Sequence, residues 1–404
     1  MKRHVFAAVI GGGAAGLICA LRAAERHPGQ PVVILERADR VGKKLLVTGN
    51  GRCNLSHLNA TAASYHGEGS SALINILFQN YNTDAVLRYF GSLGLLTEAD
   101  AEGRVYPRTN LASSVLDVLR LHLKRLGVEE LCGAAVTDVR RRNGQYEIVT
   151  QDGLLEAEKL VVAAGGRTDY AGRDSGSADI LRLLGLRTTK LSPSLSPVRV
   201  KGDILRPLKG IRADAEASLI SGGRIIKSER GEVQFTENAL SGICIFNLSR
   251  EANRGGCEIA LNLLPDLSRG DLARELKARL TRYSESPVSD IFVGMFHKNI
   301  GMFLLKACGI SPSTECRNIS DKEINTLCGK IADCRFTCEA SSDFRKAQVT
   351  AGGICLSEID SATFESKAHP GLYLIGEALD VDGDCGGYNL QFAWASGMCA
   401  GDSL

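Results

Sequence analysis

The hydrophobic pattern near the start of the chain predicts a strand, a helix and a second strand. Residues 5–10 form a short, unbroken apolar run, which is typical of a buried parallel strand. Small and apolar residues follow at helical spacing until Pro28 and Gly29 end the helix. A second apolar run, residues 31–35, leads directly to Glu36. This order indicates a βαβ unit with a parallel sheet.

The pattern after this unit predicts more of the same α/β domain. Alternating stretches indicate a β-meander, which is followed directly by a buried strand at residues 160–166. The meander strands lie near 135–139, 145–150 and 154–159, and helical spacing predicts helices at 71–80, 83–93, 113–126 and, at the end of the chain, 390–400.

A long insert interrupts this domain. From about residue 191, prolines punctuate short strands and there is little helical periodicity before residue 268. Helical spacing then returns up to about residue 340. We predict an α/β domain from residues 1–190 and 342–404, a β-rich part, read as a small barrel, at 191–267, and a helical subdomain at 268–341.

A glycine motif joins the first strand to the first helix. Residues 11–16, GGGAAG, fit the pattern G-x-G-x-x-G without a gap. Gly11 permits a tight turn, Gly13 lets a pyrophosphate approach the backbone, and Gly16 lets the helix pack on the sheet. Glu36 follows twenty residues after Gly16, where a carboxylate can bind an adenosine ribose and would repel a 2′-phosphate. A lone glycine motif can be a plain connection, but the complete order predicts a bound dinucleotide other than NADP.

Two further loops resemble parts of a nucleotide site. Residues 41–54 contain three glycines, two lysines and an arginine, so they form either a cofactor cradle or a solvated basic loop. Near the other end of the chain, an apolar strand ends on Gly376 and Glu377, and residues 382–389 open the last helix. A second carboxylate suits the ribityl chain of FAD, which NAD lacks. The start of the last helix would then face the N1/C2=O edge of the flavin.

Three motifs together resemble the signatures of the BaiN-type NAD(P)/FAD-dependent oxidoreductases. They are TGNGRCN at residues 48–54, TAGG at 350–353 and GEALDVDGDCGGYN at 376–389. The resemblance implies a Rossmann-like, glutathione-reductase-like FAD domain from both chain ends, with inserted β-barrel and helical domains. It implies cofactor contacts at Gly11, Gly13, Ala15, Gly16, Glu36, Lys44, Asn50, Arg52, Gly165, Gly376, Glu377 and Asn389. The predicted contact set also includes Ala14, Arg37, Gly51, Cys53, Asn54, Val136, Ala164, Gly386, Gly387 and Leu390.

The resemblance leaves three classes of function open. The first is NAD(P)H-dependent reduction of an activated C=C bond, as in 3-oxo bile-acid intermediates, with hydride delivered from the flavin N5. The chain has no second G-x-G-x-x-G, so we expect NAD(P)H to dock transiently. The second is a flavin oxidase acting on a small amine such as aminoacetone. The third is a non-enzymatic flavin- or RNA-binding module, which the near-neutral charge disfavours.

Composition limits the partners and the cellular location that we expect for the protein. The 404 residues are 44% hydrophobic with a net charge of +2, so neither a nucleic acid nor an acidic membrane is an expected partner. No apolar stretch is long enough to span a bilayer, and the first strand begins almost at once, so we expect a cytoplasmic protein acting on a small molecule. The thirteen cysteines include no C-x-x-C pair, which predicts free thiols and no metal site.

The sequence does not identify a catalytic acid or base. Tyr388, beside the flavin loop, is a candidate proton donor, although its ring can equally pack against the cofactor. Cys53 is a second candidate, against the simpler reading of a small packing residue beside glycines. His297 lies in an apolar helical stretch and is expected to be a satisfied core histidine.

Overall fold

The structure, a computed structural model, describes residues 3–168 and 183–404. The chain divides into two compact units, the first Met1–Leu191 with Ala347–Leu404 and the second Ser192–Lys346. The boundaries lie close to those predicted at 190 and 342. Apart from Leu191, both predicted inserted parts, 191–267 and 268–341, lie within the second unit.

A seven-stranded sheet forms the centre of the first unit. Part of it is parallel, and two antiparallel strands of the meander extend this part. The apolar runs predicted from the sequence are the buried strands at its centre. In spatial order the strands are Glu129–Cys132, Val32–Glu36, Arg3–Ile10, Gly153–Val162, Gln145–Thr150 and Val136–Arg142, with Leu372–Leu374 also paired to Gly153–Val162.

The other elements of the first unit surround this sheet. Its helices within the described residues are Ala14–Arg26, Lys43–Val47, Ser70–Tyr81, Thr83–Ser92, Ala112–Arg125 and Tyr388–Ser403, so each predicted helix is confirmed within a few residues. Its short strands are Ser56–His57, Tyr65–His66, Thr97–Ala99, Arg104–Pro107, Val349–Ala351 and Asp382–Gly383.

Two details of the predicted sheet were wrong. The stretches 154–159 and 160–166 are not separate strands, because Gly153–Val162 is one strand that pairs with Arg3–Ile10 from Leu155 to Val162. The edge strand Glu129–Cys132 was missed, since it is only four residues long, begins with two glutamates and is only half-buried.

The two ends of the chain meet through the first and last helices. A Cβ on Gly397 would lie 2.5 Å from the Ala15 carbonyl oxygen, and one on Gly401 would lie 2.7 Å from the Cys19 carbonyl oxygen. Only glycine permits this approach of the two backbones. Fully buried Trp394 anchors the last helix by donating its Nε1–H to the Leu55 carbonyl at 3.0 Å. The packing therefore fixes the N-terminal motif relative to the C-terminal one.

The second unit is a closed antiparallel barrel with helices packed on it. Two backbone bonds join its edge strands, from Lys201 N to the Thr337 oxygen and from Glu339 N to the Arg199 oxygen, both 2.9 Å. The predicted β-barrel and helical elements are therefore present, and they share one core. The barrel strands in spatial order are Val198–Arg199, Ala239–Ser241, Arg224–Phe235, Arg212–Ser221, Cys257–Asn262 and Cys334–Thr337. A short strand, Ser192–Ser194, precedes them, and the helices are Ile243–Ala252, Arg269–Arg282, Lys298–Ala307 and Asp321–Ala332.

The helix Ile243–Ala252 contradicts the expectation of little helix before residue 268. It buries Cys244, Ile245, Leu248 and Ala252, a spacing spread over only three turns. Because strands flank this short apolar run, the pattern predicted another strand here. His297 also differs from expectation: it is exposed, and its Nδ1 accepts from Asn299 N at the start of Lys298–Ala307.

The helix Asp321–Ala332 supplies a first test of the fold. Ser320 and Glu323 form a reciprocal capping box at its start. Ser320→Ala is expected to lower the free energy of unfolding by about 1 kcal/mol, because one N–H of the first turn loses its acceptor. Thr326→Ala, on an exposed turn of the same helix, is the control and should be neutral. Equal effects in urea unfolding would contradict the cap.

In the part of the chain that is described, no helix combines the length and the apolar character needed to cross a bilayer.

Candidate functional site

The glycines at the three fixed positions of the first motif, Gly11, Gly13 and Gly16, have different surroundings. A Cβ on Gly11, whose φ is +104°, would lie 2.4 Å from the Ala163 carbonyl oxygen, and one on Gly16 would lie 2.0 Å from the Gly11 oxygen. Gly11 and Gly16 are therefore fixed by packing. A Cβ on Gly13 would meet no described heavy atom within 4 Å, and no side chain caps the helix that starts there. Gly13 thus borders open space at a helix N-terminus, as a pyrophosphate requires.

Glu36 is held in place beside this turn. Its Oε2 accepts from Gly12 N and its Oε1 accepts from Ala38 N, both at 2.8 Å. Each oxygen retains acceptor capacity for a hydroxyl group. Ala134 N donates to the Glu36 carbonyl at 2.9 Å, which brings the segment leading to half-buried Val136 to the same place. The predicted residues Ala14, Ala15 and Arg37 adjoin this end of the site in the chain.

The basic loop ends in an unusual run of left-handed backbone. Gly49, Asn50, Gly51 and Cys53 all have φ between 56° and 84°. Glycine and asparagine tolerate this region best, so the TGNG sequence suits the turn. Arg52 places its guanidinium over the Tyr106 ring, 4.6 Å from the centroid.

Lys44 and Glu377 join three of the sequence motifs. The Lys44 Nζ lies 2.6 Å from Glu377 Oε2 and also donates to Thr168 Oγ1 at 3.1 Å. Glu377 Oε1 accepts from Thr350 N at 2.9 Å. A Cβ on Gly166 would lie 2.6 Å from Glu377 Oε1, so this glycine is also required. Lys44 therefore binds a carboxylate here, which makes Glu377 the common partner of the basic loop and the TAGG motif.

Sequence reasoning missed Thr168 and Gly166 as members of this cluster. The Gly165–Gly166 pair after a buried strand was the available signal. Gly165 has φ +75° and borders open space among the described residues, while half-buried Ala164 precedes it. Gly376 closes the cluster, because a Cβ there would lie 2.9 Å from the Ala15 Cβ.

The loop before the last helix is shaped by Asn389. Its Oδ1 accepts from Gly383 N at 2.9 Å and its Nδ2 donates to the Gly383 oxygen at 2.8 Å. No side chain caps the helix that begins after Gly387, and Gly386 and half-buried Leu390 flank this start. A Cβ on Gly387 would lie 2.7 Å from Asn54 Oδ1, so this loop meets the end of the basic loop. Asn389 thus holds the loop through its amide.

Tyr388 packs against other protein rings. It stacks on His57 with centroids 4.6 Å apart and rings 16° from parallel, and it meets Tyr65 edge-on at 6.3 Å. Burial lowers the pKa of His57, so the stacked imidazole is neutral at pH 7. Tyr65 donates its hydroxyl to the Tyr388 carbonyl at 3.0 Å. The ring of Tyr388 is therefore positioned by this aromatic cluster.

Cys53 has the surroundings of a packing residue. It is fully buried, and burial raises the pKa of its thiol to about 12. We expect Cys53→Ala to retain FAD and its rate of anaerobic reduction within about twofold, because the neutral thiol supplies no nucleophile. Cys385→Ala is the matched variant, since burial raises the pKa of that thiol to about 11. Loss of flavin reduction in Cys53→Ala alone would instead support a redox role.

These features fit FAD. Open space at Gly13 suits the pyrophosphate. Glu36 ends the strand Val32–Glu36, and Glu377 lies in the short turn after the strand Leu372–Leu374, so both carboxylates are at the carboxyl edge of the same sheet. Asn54 Oδ1 is buried, and no described residue gives it a hydrogen-bond partner. A buried acceptor of this kind calls for a donor from a bound group.

Comparison with known proteins decides the family. A sequence profile described as HI0933-like protein Rossmann domain matches residues 5–403. The chain belongs to this family. The predicted BaiN-type membership and Rossmann-like fold are confirmed, and the protein is a member of a family of FAD-dependent oxidoreductases.

The chain is similar to two curated relatives and to one solved structure, among others. The 3-dehydro-bile acid delta(4,6)-reductase of Clostridium scindens is 33% identical over 399 residues, covering 97% of each chain. The ribosomal RNA dihydrouridine synthase of Escherichia coli K12 is 26% identical over 406 residues, covering 98% of each. The 3-ketosteroid-delta4-(5alpha)-dehydrogenase of Rhodococcus jostii RHA1 has a TM-score of 0.48 at 14% identity, covering 99% of this chain and 96% of the other.

Proposed function

We propose that the protein reduces a C=C bond conjugated to a carbonyl group, in a 3-oxo steroid or bile-acid-like substrate, with NAD(P)H as electron donor. The observation that carries this proposal is the 33% identity, over 97% of both chains, to a bile-acid reductase. The amine-oxidase alternative is not favoured, because neither curated relative described above bears an amine oxidase's name.

The chain's own residues would hold the cofactor as follows. Glu36 would bind the adenosine ribose, and the helix start at Gly13 would bind the pyrophosphate. Glu377, oriented by Lys44 and Thr350, would face the ribityl chain, and the start of the helix Tyr388–Ser403 would face the acceptor-rich edge of the ring. Bound FAD supplies hydride transfer at its N5 atom. The protein contributes binding, orientation and the proton.

A second candidate follows from the relative that acts on ribosomal RNA. Dihydrouridine differs from uridine by saturation of the C5–C6 bond, which is conjugated to the C4 carbonyl. Both curated relatives therefore point to the same class of reaction on very different substrates. The absence of a nucleic-acid partner, expected from the net charge of +2, stays a prediction.

Anaerobic half-reactions test the proposal. The purified protein should be yellow, NADH or NADPH should bleach it, and a 3-oxo-Δ4,6 steroid should restore the colour. Two alternative substrates are tested in parallel: an unmodified ribosomal RNA transcript for the second candidate, and aminoacetone with oxygen for the amine-oxidase alternative. A yellow protein that neither nucleotide bleaches, or that the steroid fails to reoxidise, would contradict the proposed function. Reoxidation by the transcript alone would select the second candidate.

A further inference from the structure

His66 forms a histidine–carboxylate pair with Asp384, a residue of the loop that precedes the last helix. His66 Nε2 is 2.9 Å from Asp384 Oδ1, and the two side chains are 31% and 20% exposed. His66 belongs to the short strand Tyr65–His66, which pairs with Asp382–Gly383. Asp384 is four residues before the start of the helix Tyr388–Ser403. It connects an ionisable, partly exposed ring to the loop expected to face the flavin.

The strand pairing decides which way His66 points. Successive residues of a strand face opposite sides. Tyr65 is turned inward, where its ring packs on Phe78 and Phe392. His66 therefore faces away from this aromatic core, on the side that carries Asp384. Asp382, opposite His66 in the strand pair, is on the same side.

The pair is not needed to fasten the two segments. Asp384 N donates to the Ser64 oxygen at 3.0 Å, next to the strand pairing itself. A Cβ on Gly67, whose φ is +120°, would lie 2.0 Å from the Asp380 oxygen, so the backbones are already in close contact. The backbone contacts therefore hold the two segments together, and the hydrogen bond between His66 and Asp384 fixes the orientation of the ring.

We propose that His66, oriented by Asp384, is the acid that protonates the α-carbon of the substrate. This inference rests on the proposed reduction of a conjugated C=C bond. The β-carbon gains the hydride that NAD(P)H provides through the cofactor, and the π electrons form the new bond from the α-carbon to the proton of His66 Nδ1. The neutral ring keeps its Nε2–H on Asp384, and Nδ1 regains a proton from water.

The hydrogen bonding is consistent with this division between the two ring nitrogens. Nε2 is engaged by Asp384, and Nδ1 has no hydrogen-bond partner among the described residues. A carboxylate that holds one nitrogen fixes the tautomer and leaves the other nitrogen for proton transfer. Two further carboxylates are near the pair: Asp382 is opposite His66 in the strand pair, and Asp380 lies beside Gly67, the residue after His66.

The experiment separates proton transfer from structure. His66→Gln keeps an amide that can donate to Asp384 but has no transferable proton, and Asp384→Asn removes the carboxylate. His4→Gln is the control, since His4 is also an exposed histidine beside a carboxylate, Glu158 at 3.8 Å, at the start of the first strand. For each variant, FAD content, Tm, anaerobic bleaching by NADH and reoxidation by the dienone are measured across pH.

We expect His66→Gln to keep FAD, Tm and bleaching while reoxidation slows about 100-fold or more, the usual contribution of a positioned acid. Reaction in D₂O should place deuterium on one face of the α-carbon in the wild type and on both faces in His66→Gln. Without substrate, ¹⁵N NMR should show the Nε2–H tautomer of His66 in the wild type and a mixture in Asp384→Asn. His4→Gln should match the wild type throughout.

The outcomes that overturn the inference are distinct from those that overturn the function. Wild-type rates and one-face deuteration in His66→Gln would remove His66 as the acid, although the wild type still reduces the dienone. If both His66→Gln and Asp384→Asn lose FAD or have a lower Tm, the pair has a purely structural role. A wild type that NADH bleaches but the dienone does not reoxidise would contradict the proposed function, and this role of His66 with it.

Discussion

Gly13→Val is expected to weaken FAD binding about 100-fold, or about 2.8 kcal/mol at 1.4 kcal/mol per factor of ten. A Cβ on Gly13 would meet no described atom within 4 Å, so valine has room in the protein itself. Its methyl groups would occupy the space through which a pyrophosphate reaches the helix N–H groups. The measurement is the FAD dissociation constant of reconstituted apoprotein, together with its Tm.

Two other glycines provide matched controls for this prediction. Gly16→Ala should lower the Tm of the apoprotein as well as FAD binding, because its Cβ would lie 2.0 Å from the Gly11 oxygen. Gly91→Ala, on the exposed side of a helix with no described atom near its Cβ, should change neither. Valine at a helix N-cap itself costs about 1 kcal/mol, so a larger fall in stability in Gly13→Val would be unexpected. Unchanged FAD affinity would place the pyrophosphate elsewhere.

The parts of the site that sequence alone predicted depend on local spacing. Gly11 and Gly16 follow from a strand that runs straight into a helix, and Glu36 follows from the length of the βαβ unit. Their surroundings agree with these roles, since both glycines lie against backbone oxygens. Patterns of this kind are readable because the residues involved are neighbours along the chain.

The parts that were missed depend on contacts between distant residues. Thr168 lies 209 positions from Glu377 in the chain, yet its Oγ1 is 3.4 Å from Glu377 Oε1. His66 and Asp384 are separated by 318 positions. No periodicity links such residues, because they meet only when both chain ends have packed into one sheet. The glycines at 397 and 401 let the first and last helices touch, and they are the feature of the sequence that reflects this packing.

The prediction of secondary structure was wrong where a segment was short and the neighbouring elements were of a different type. The helix Ile243–Ala252 lies between barrel strands, and Gly242, with φ +117°, turns the chain into it. The strand Glu129–Cys132 has polar residues at its start, because it lies at the sheet edge where both faces are half-exposed. Long apolar strands and amphipathic helices, by contrast, were found within a few residues. The signal is therefore strongest where burial is most complete.

Glu377→Ala is expected to lower the Tm by about 4 to 8 °C, which corresponds to about 2 kcal/mol, and to weaken FAD binding at least tenfold. The substitution removes the acceptor of Lys44 Nζ, Thr350 N and Thr168 Oγ1 together. Leaving a half-buried ammonium and a backbone N–H without their acceptor is the larger cost. The measurements are the thermal unfolding of the apoprotein and its titration with FAD.

A double-mutant cycle identifies the cause of that loss. Lys44→Met keeps the length of the side chain and removes its charge, so it should cost less than Glu377→Ala. If the Lys44–Glu377 contact carries the effect, the double variant should be more stable than the sum of the single variants predicts, by about 1 kcal/mol or more. Strict additivity would contradict direct coupling at 2.6 Å. FAD affinity that falls in Glu377→Ala but not in Lys44→Met would assign the carboxylate, rather than the ion pair, to the cofactor.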